Sequence, residues 1–379
     1  MNTTPDGQRL HIVLAGERNS GKSSLLNAVA GQSVSIVSDV PGTTTDKVSR
    51  AMEIPGLGPC VFVDTAGLDD SGPLGEKRRQ ATLNAIRGAD IVIRVVDSST
   101  GRVPEIPAVG APVITVYNKS DIVGQDGPMP ISALTGQGIP ELIDAIKAAA
   151  PAAAAPLMTQ DLLESGQLAL LVMPQDSEAP KGRLILPQQQ VLRELLDRGC
   201  RVLCCTTDGL QEAIDSLKEP PAAIVTDSRD FARVRRLAPE GARLSSFSIL
   251  LAAAKGDIGF FKDSARAIDA LTGSSRVLIA EACTHAPASE DIGRVKLPAL
   301  LRKRAGEGLK VDVVSGADFP VDLRPYDLVI HCGACMFNRA LMMSRVRQAR
   351  EQGVPMTNYG VAIAYINNII YEDSIIDRS

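Results

Sequence analysis

Tryptophan is missing from this 379-residue chain, and aromatic residues of every kind make up only 3% of it. Its cores must therefore be aliphatic, built from Val, Ile, Leu and Ala, and a hydrophobic content of 45% is enough to fill them. Basic charge is not in excess: 40 Lys and Arg stand against 44 Asp and Glu, a net charge of −4. That balance argues against life on a nucleic acid, which needs a basic surface to displace counterions. The small clusters Arg233/Arg235/Arg236 and Arg302/Lys303/Arg304 read as solvated helix faces. Long apolar runs are also missing. No stretch approaches the roughly 18 residues of a membrane span, and Met1 to Gln8 is polar, without the apolar core of a leader. The seven Cys are an odd number in a long chain without a secretion signal. They fit reduced thiols or metal ligands better than a disulfide framework, which implies the cytoplasm.

What is present alternates. Apolar runs at Leu10–Ala15, Val61–Asp64, Ile91–Asp97 and Val113–Asn118 each end in polar or Gly residues, and helical patterns such as Glu76–Ile86 and Pro140–Ala149 separate them. This predicts an α/β fold, a mostly parallel sheet covered on both faces. Around residues 148–156 the composition collapses to Ala and Pro, and prolines at 151 and 156 interrupt any helix. Further strand candidates follow at Leu168–Met173, Arg201–Cys205, Ala222–Thr226, Arg276–Ala280, Leu309–Val314 and Leu328–His331. Asp257–Leu271 and Met336–Gln352 read as helices. The expected domains are 1–150, a linker at 151–160, 161–273 and 274–379.

The loop after the first strand, Gly16-Glu-Arg-Asn-Ser-Gly21-Lys22-Ser23, is a P-loop pattern. Glycines let backbone N–H groups curve round phosphates, Lys22 adds a point charge, and the helix N-terminus favours anions. Asn19, Ser20, Gly21, Lys22, Ser23 and Ser24 are thus the expected phosphate cradle, with the Ser23 hydroxyl on Mg²⁺. Asp64-Thr65-Ala66-Gly67 ends a strand and places a carboxylate near the metal and the Gly67 N–H near a γ-phosphate. Asn118-Lys119-Ser120-Asp121 ends another, and Ser132-Ala133 follows Ile131. Together these stand in the order expected of a GTPase.

A second constellation lies near the C-terminus: Cys283-Thr-His285 and His331-Cys332-Gly-Ala-Cys335. Each follows an apolar strand, so the ligand types converge at strand ends, where open α/β sheets bind ligands. By chemistry alone the set suits either structural Zn²⁺ or a 4Fe–4S cluster. The other cysteines, Cys60, Cys200, Cys204 and Cys205, sit in or beside apolar runs and are expected in the core. Phe247–Ala254 and Phe260–Phe261 are apolar enough to face another subunit, and equally suit ordinary core.

The N-terminal motifs resemble the Era and MnmE-like GTPases. In that group Asp121 would select guanine, Ser132 and Ala133 would touch the base, and Asn19 would hold K⁺. The segment Pro41-Gly42-Thr43-Thr44-Thr45-Asp46 resembles their switch region, with Thr44 closing over Mg²⁺; Thr45 replaces their usual Arg. Lys22, Thr44 and Gly67 are the candidate catalytic groups. Leu68 stands where Ras-like proteins have Gln and cannot orient a water, so turnover is expected to be slow or to need another group.

The strings Asp291–Pro298, Asp327–Cys335, Pro355–Tyr365 and Pro180–Pro187 resemble the HydF family of FeFe-hydrogenase maturation GTPases over nearly the whole chain. That resemblance implies a GTPase domain, a dimerisation domain and a cluster domain. Cys283, Cys332 and Cys335 would ligate a 4Fe–4S cluster, with His285 or His331 as a weak fourth ligand or an orienting partner. The implied cofactors are GTP/GDP, Mg²⁺, the cluster and K⁺, with a transient diiron precursor as cargo. The implied partners are the radical-SAM maturases HydE and HydG, apo FeFe-hydrogenase and a second copy of the chain, with no nucleic acid and no membrane. The competing expectation is an Era/MnmE-like regulatory or RNA-related GTPase with a structural zinc site.

Overall fold

The computed structural model describes residues 4–31, 35–40, 48–124, 127–151, 156–175, 182, 184–228, 230–282, 292–316 and 318–367. By contacts the chain divides into two units, Met1–Ala154 with Phe337–Ser344, and Ala155–Met336 with Arg345–Ser379.

The first unit runs β1 (Leu10–Gly16), α1 (Lys22–Ala30), β2 (Ser35–Val40), β3 (Val48–Ile54), β4 (Gly58–Asp64), α2 (Gly72–Arg87), β5 (Ile91–Asp97), β6 (Val113–Asn118), α3 (Ser120–Val123) and α4 (Ile139–Ala149). The sheet order is β2-β3-β4-β1-β5-β6. β4, β1, β5 and β6 are parallel, while β2, β3 and β4 pair antiparallel. The central strands are apolar almost throughout because helices cover both faces: Ile12, Leu14, Ile91 and Ile93 pack toward one core and Val13, Ala15 and Val92 toward the other. β3 was not foreseen. Its Val-Ser-Arg-Ala-Met-Glu-Ile pattern is half polar, and it is recruited by a hairpin whose Gly56 and Gly58 hold φ of 83° and 93°.

The second unit contains two parallel sheets. One is built from β7 (Leu168–Val172), α5 (Leu186–Asp197), β8 (Arg201–Cys205), α6 (Leu210–Asp215), β9 (Ala223–Thr226), α7 (Phe231–Leu237), β10 (Arg243–Ser246) and α8 (Phe247–Lys255), in the order β10-β9-β7-β8. The other follows α9 (Ile258–Ala265) with β11 (Arg276–Glu281), α10 (Leu297–Ala305), β12 (Lys310–Ser315), β13 (Leu328–His331), α11 (Arg339–Glu351, of which only the part from Arg345 groups with this unit), β14 (Met356–Asn358) and α12 (Tyr359–Ile366), in the order β12-β11-β13-β14. The expected helix over Asp257–Leu271 is α9 continued by a 3₁₀ turn at Arg266–Ala270. α11 starts later than its apolar pattern because Asn338 accepts the Leu341 N–H at 3.2 Å and caps it. Met158 and Thr159, inside the expected linker, already belong to the second unit: their N–H groups donate to Glu194 at 2.8 and 2.7 Å.

Two composition-based expectations are settled by topology. Cys60 and Cys200 are buried, but Cys204 is exposed and Cys205 half-buried, because β8 is an edge strand with no neighbour beyond it among the described residues. Residues Phe247–Ala254 form α8, which apart from Ser248 is buried along its length. Among the described residues no helix is long and apolar enough to cross a membrane.

Candidate functional site

The phosphate cradle forms where β1 stops at Gly16 and α1 begins at Lys22. Two of its positions cannot carry a Cβ. At Gly16 that atom would lie 2.4 Å from the Val95 carbonyl oxygen, and at Gly21 (φ 90°) 2.1 Å from the Asn118 amide nitrogen. The latter closeness has a purpose: Asn118 Nδ2 donates to the Ser20 carbonyl at 2.9 Å, and its Oδ1 accepts the Ala133 N–H at 3.0 Å. One buried amide thus ties the phosphate loop to the expected base-contacting loop. Asn19 adopts φ 59°, the left-handed region. Lys22 is buried, and its Nζ donates to the Glu17 and Gly16 carbonyls at 2.7 and 3.2 Å. Burial lowers its pKa, against the opposing pull of Asp64, Asp69 and Asp70.

Ser23 Oγ donates to Asp64 Oδ2 at 2.5 Å, while Asp64 Oδ1 is buried without a partner among the described residues. A hydroxyl, a carboxylate and an unsatisfied carboxylate oxygen side by side are a donor set that fits Mg²⁺. At the base end, Ser132 Oγ donates to Asp121 Oδ1 at 2.5 Å, and the Lys119 ammonium pairs with Asp97 at 2.6 Å. Burial pushes the Asp97 carboxyl up, but the bonds from Lys119 and Ser99 outweigh it and hold it below its ordinary value. Gly67 is wedged against the phosphate loop, where a Cβ would meet Arg18 Cγ at 2.4 Å. The Leu68 N–H donates to the Gly16 carbonyl at 3.1 Å, and the Arg18 N–H to Asp69 at 2.7 Å. The resulting cavity, about 500 Å³, is lined by Asn19, Lys22, Ser23, Gly67 and two arginines, Arg18 and Arg78. Sequence reasoning missed Asp97, Asp69 and Arg78, which lie outside any motif; Arg78 reaches the cavity from α2. Thr44 lies outside the described residues.

The cysteine-rich group sits at the ends of paired parallel strands. Ala280 on β11 is in register with His331 on β13, and the Cys332 N–H donates to the Ala280 carbonyl at 2.9 Å. Cys332 Sγ accepts the Ala282 N–H at 3.0 Å and the Ala334 N–H at 3.5 Å. The residue just before Cys283 therefore touches the Cys332 sulfur, although Cys283 and His285 themselves lie outside the described residues. Ala334 turns the loop with φ 51° and lets Cys335 follow. Burial raises the Cys335 thiol's pKa, with Lys255 opposing. Lys255 Nζ donates to the Ala334 and Cys335 carbonyls at 2.9 and 3.1 Å; burial pulls its pKa down to about 8, with Cys335 and Cys332 opposing.

His331 is fully buried, and both ring nitrogens have partners. Nε2 faces the Arg345 guanidinium at 2.7 Å and Nδ1 faces the Cys332 carbonyl at 2.9 Å. A guanidinium only donates, so Nε2 accepts, and Nδ1 carries the proton that it donates to Cys332. Burial first, then the Arg345 charge, pushes the imidazole down to about 3. Of the two roles expected for His331, this geometry fits the orienting partner; neither nitrogen is free to ligate. Cys332 and Cys335, on one loop with amide donors aimed at sulfur, are a donor set that fits an iron–sulfur centre. Among the described residues no three His, Cys, Asp or Glu side chains form a metal-binding group.

A family model for the hydrogen maturase F dimerization domain matches residues 158–256, and one for its tetramerization domain matches residues 259–376. A model described as a 50S ribosome-binding GTPase matches residues 11–119. The chain belongs to the hydrogen maturase F (HydF) family. The two HydF-specific matches together run from residue 158 to 376, and the general GTPase match covers residues 11–119. The tRNA modification GTPase MnmE of Methylorubrum populi is 41% identical over 155 residues, 39% of this chain and 34% of that protein. MnmE of Nitrosomonas europaea is 42% identical over 146 residues, 34% of this chain and 32% of that protein. The chain thus spans about a third of the length of these curated relatives. Among solved structures, Era bound to MgGDPNP and a 16S ribosomal RNA segment aligns at a TM-score of 0.33 and 21% identity, covering 52% of this chain and 92% of that one.

Proposed function

We propose that this chain hydrolyses GTP and carries iron–sulfur species during FeFe-hydrogenase maturation. In this reading GTP lies over the P-loop amides. Lys22 neutralises phosphate charge, Ser23 and Asp64 hold Mg²⁺, Thr44 closes over it, and the Gly67 N–H meets the γ-phosphate. Asp121 accepts from the guanine edge, with Ser132 holding its carboxylate and Asn118 joining base loop to phosphate loop. Mg²⁺, when bound, supplies charge neutralisation at the phosphate oxygens. Leu68 cannot align a water, so turnover is slow, and K⁺ held at Asn19 is the added cation we expect to stimulate it. Equal rates in Na⁺ and K⁺ buffers would remove that element.

The second activity rests on Cys283, Cys332 and Cys335 as ligands of a 4Fe–4S cluster. When bound, that group supplies iron at which a diiron precursor can dock. The supporting observation is the Ala282 N–H on the Cys332 sulfur, which brings the strand end leading to Cys283 against the Cys332–Cys335 loop. His331 orients that loop through the Cys332 carbonyl. The cargo would come from HydE and HydG and pass to apo-hydrogenase, in the reducing cytoplasm, from a self-associated form of the chain. Anaerobic reconstitution with EPR on wild type and Cys332→Ala tests this. A cluster signal lost in the variant is expected; one of equal intensity in both would refute the ligand assignment.

A second reading has a specific observation behind it, the 41% identity of the GTPase region to MnmE. It makes the chain an RNA-related GTPase with structural zinc. Metal analysis decides: anaerobically purified protein should be brown and contain iron, rather than colourless and zinc-loaded.

A further inference from the structure

α8 is an apolar helix capped at its start by Ser246, whose Oγ accepts the Ile249 N–H at 3.2 Å. Its buried run is Phe247, Ile249, Leu250, Leu251 and three alanines, and it ends in a buried lysine, Lys255, only 9% exposed. An ammonium at the end of a buried apolar helix is costly and is kept where hydrogen bonds and nearby negative charge compensate. The compensation here is specific. Lys255 Nζ reaches two consecutive carbonyls, those of Ala334 and Cys335, in the loop between β13 and α11. These are the carbonyls of the turn that carries Cys332 and Cys335. The same turn needs help, since Ala334 is a non-glycine residue at φ 51°. On the strand side it is held by Cys332 N–H to Ala280 and by His331 Nδ1–H to the Cys332 carbonyl, with Arg345 behind His331.

We propose that Lys255 is a positioning residue of the iron–sulfur site: it fixes the Cys332–Cys335 turn in its ligand-presenting form and sets a buried positive charge beside the thiolates. The inference rests on the cluster reading above and adds to it a residue remote from any cysteine motif. Two effects follow. Holding both carbonyls restrains the turn that carries the two thiols before metal arrives, which favours loading. A fixed cation beside an anionic cluster stabilises the reduced form more than the oxidised one, which raises the reduction potential.

Three variants of the full chain separate these effects. Lys255→Met removes bonds and charge, Lys255→Gln keeps an N–H donor without charge, and Lys255→Arg keeps the charge. Melting temperature and GTP turnover report whether each is folded. In metal-free protein, amide hydrogen exchange across residues 332–336 should be several-fold faster in Lys255→Met than in wild type and near wild type in Lys255→Arg. In reconstituted protein, the cluster's midpoint potential should move negative in Lys255→Met and Lys255→Gln and stay near wild type in Lys255→Arg. Iron retained against a chelator should fall several-fold in Lys255→Met. Unchanged exchange together with unchanged potential in folded Lys255→Met or Lys255→Gln overturns the proposal. If wild type takes up no iron, the cluster reading fails by itself, and the exchange comparison on metal-free protein decides whether Lys255 positions the turn.

Discussion

Lys22 and Asp121 do different work and should fail differently. Lys22 is buried against the Glu17 and Gly16 carbonyls, which in the proposed reading it exchanges for phosphate oxygens. Lys22→Ala is expected to cut GTP turnover by roughly 100-fold or more, measured as phosphate release. Asp121 is held by the Ser132 hydroxyl. Asp121→Asn replaces an acceptor with a donor, so GTP affinity should drop roughly 10- to 100-fold while xanthosine triphosphate gains, readable by fluorescent-nucleotide titration. His331 gives a pH signature. Its folded pKa, about 3, lies below the ordinary 6.5, so the unfolded chain takes up the proton first. Stability from this group is present above about pH 6.5 and is lost as pH falls. The melting temperature of metal-free protein should decline from pH 6.5 to 5, with a shallower decline in His331→Gln. At this scale the P-loop, the Asp64 and Asp121 motifs and the Cys332–Cys335 pair were legible in the sequence, because each is a contiguous string whose chemistry needs those residue types. Arg78, Asp97 and Arg345 were not. Arg78 is placed at the cavity by the fold, Asp97 and Arg345 act through Lys119 and His331 on other elements, and a lone charged residue in a helix or at a strand end carries no signature.

Among elements, α8 shows what patterning can and cannot tell. Its composition is apolar all round, which suits a subunit seam or a core equally. The fold buries it within its own unit, with Phe247 only 1% exposed. Phe247→Ala should therefore cost about 3–5 kcal/mol, seen as a lower denaturant midpoint whether or not the chain self-associates. A seam residue would instead lose stability in step with oligomer dissociation. The parallel strands were readable because burial on both faces demands near-continuous apolar runs, as in β5 and β13. β3 and β10 were not. β3 is half polar, and Arg-Leu-Ser-Ser in β10 becomes a strand only by pairing with β9.

At the scale of the molecule, the family matches place a dimerization model and a tetramerization model on successive segments. Light scattering behind size exclusion should return a multiple of the 40.1 kDa chain mass. A monomer at micromolar concentration would count against self-association. The exposed Cys204 on the edge strand β8 belongs to this scale too. Its surroundings depend on strand order, which no local pattern encodes.

The sequence by itself determined what contiguous backbone can make: a P-loop turn, the Asn118–Asp121 string and a two-thiol turn, together with the α/β alternation that puts each at a strand end. Tertiary structure decided which distant groups serve them. Asn118 bridges two loops, His331 turns both nitrogens away from ligation, and a lysine from another helix grips the thiol turn. These pairings span up to about a hundred residues of chain, and only the packing of sheet against helix brings their atoms within hydrogen-bond reach.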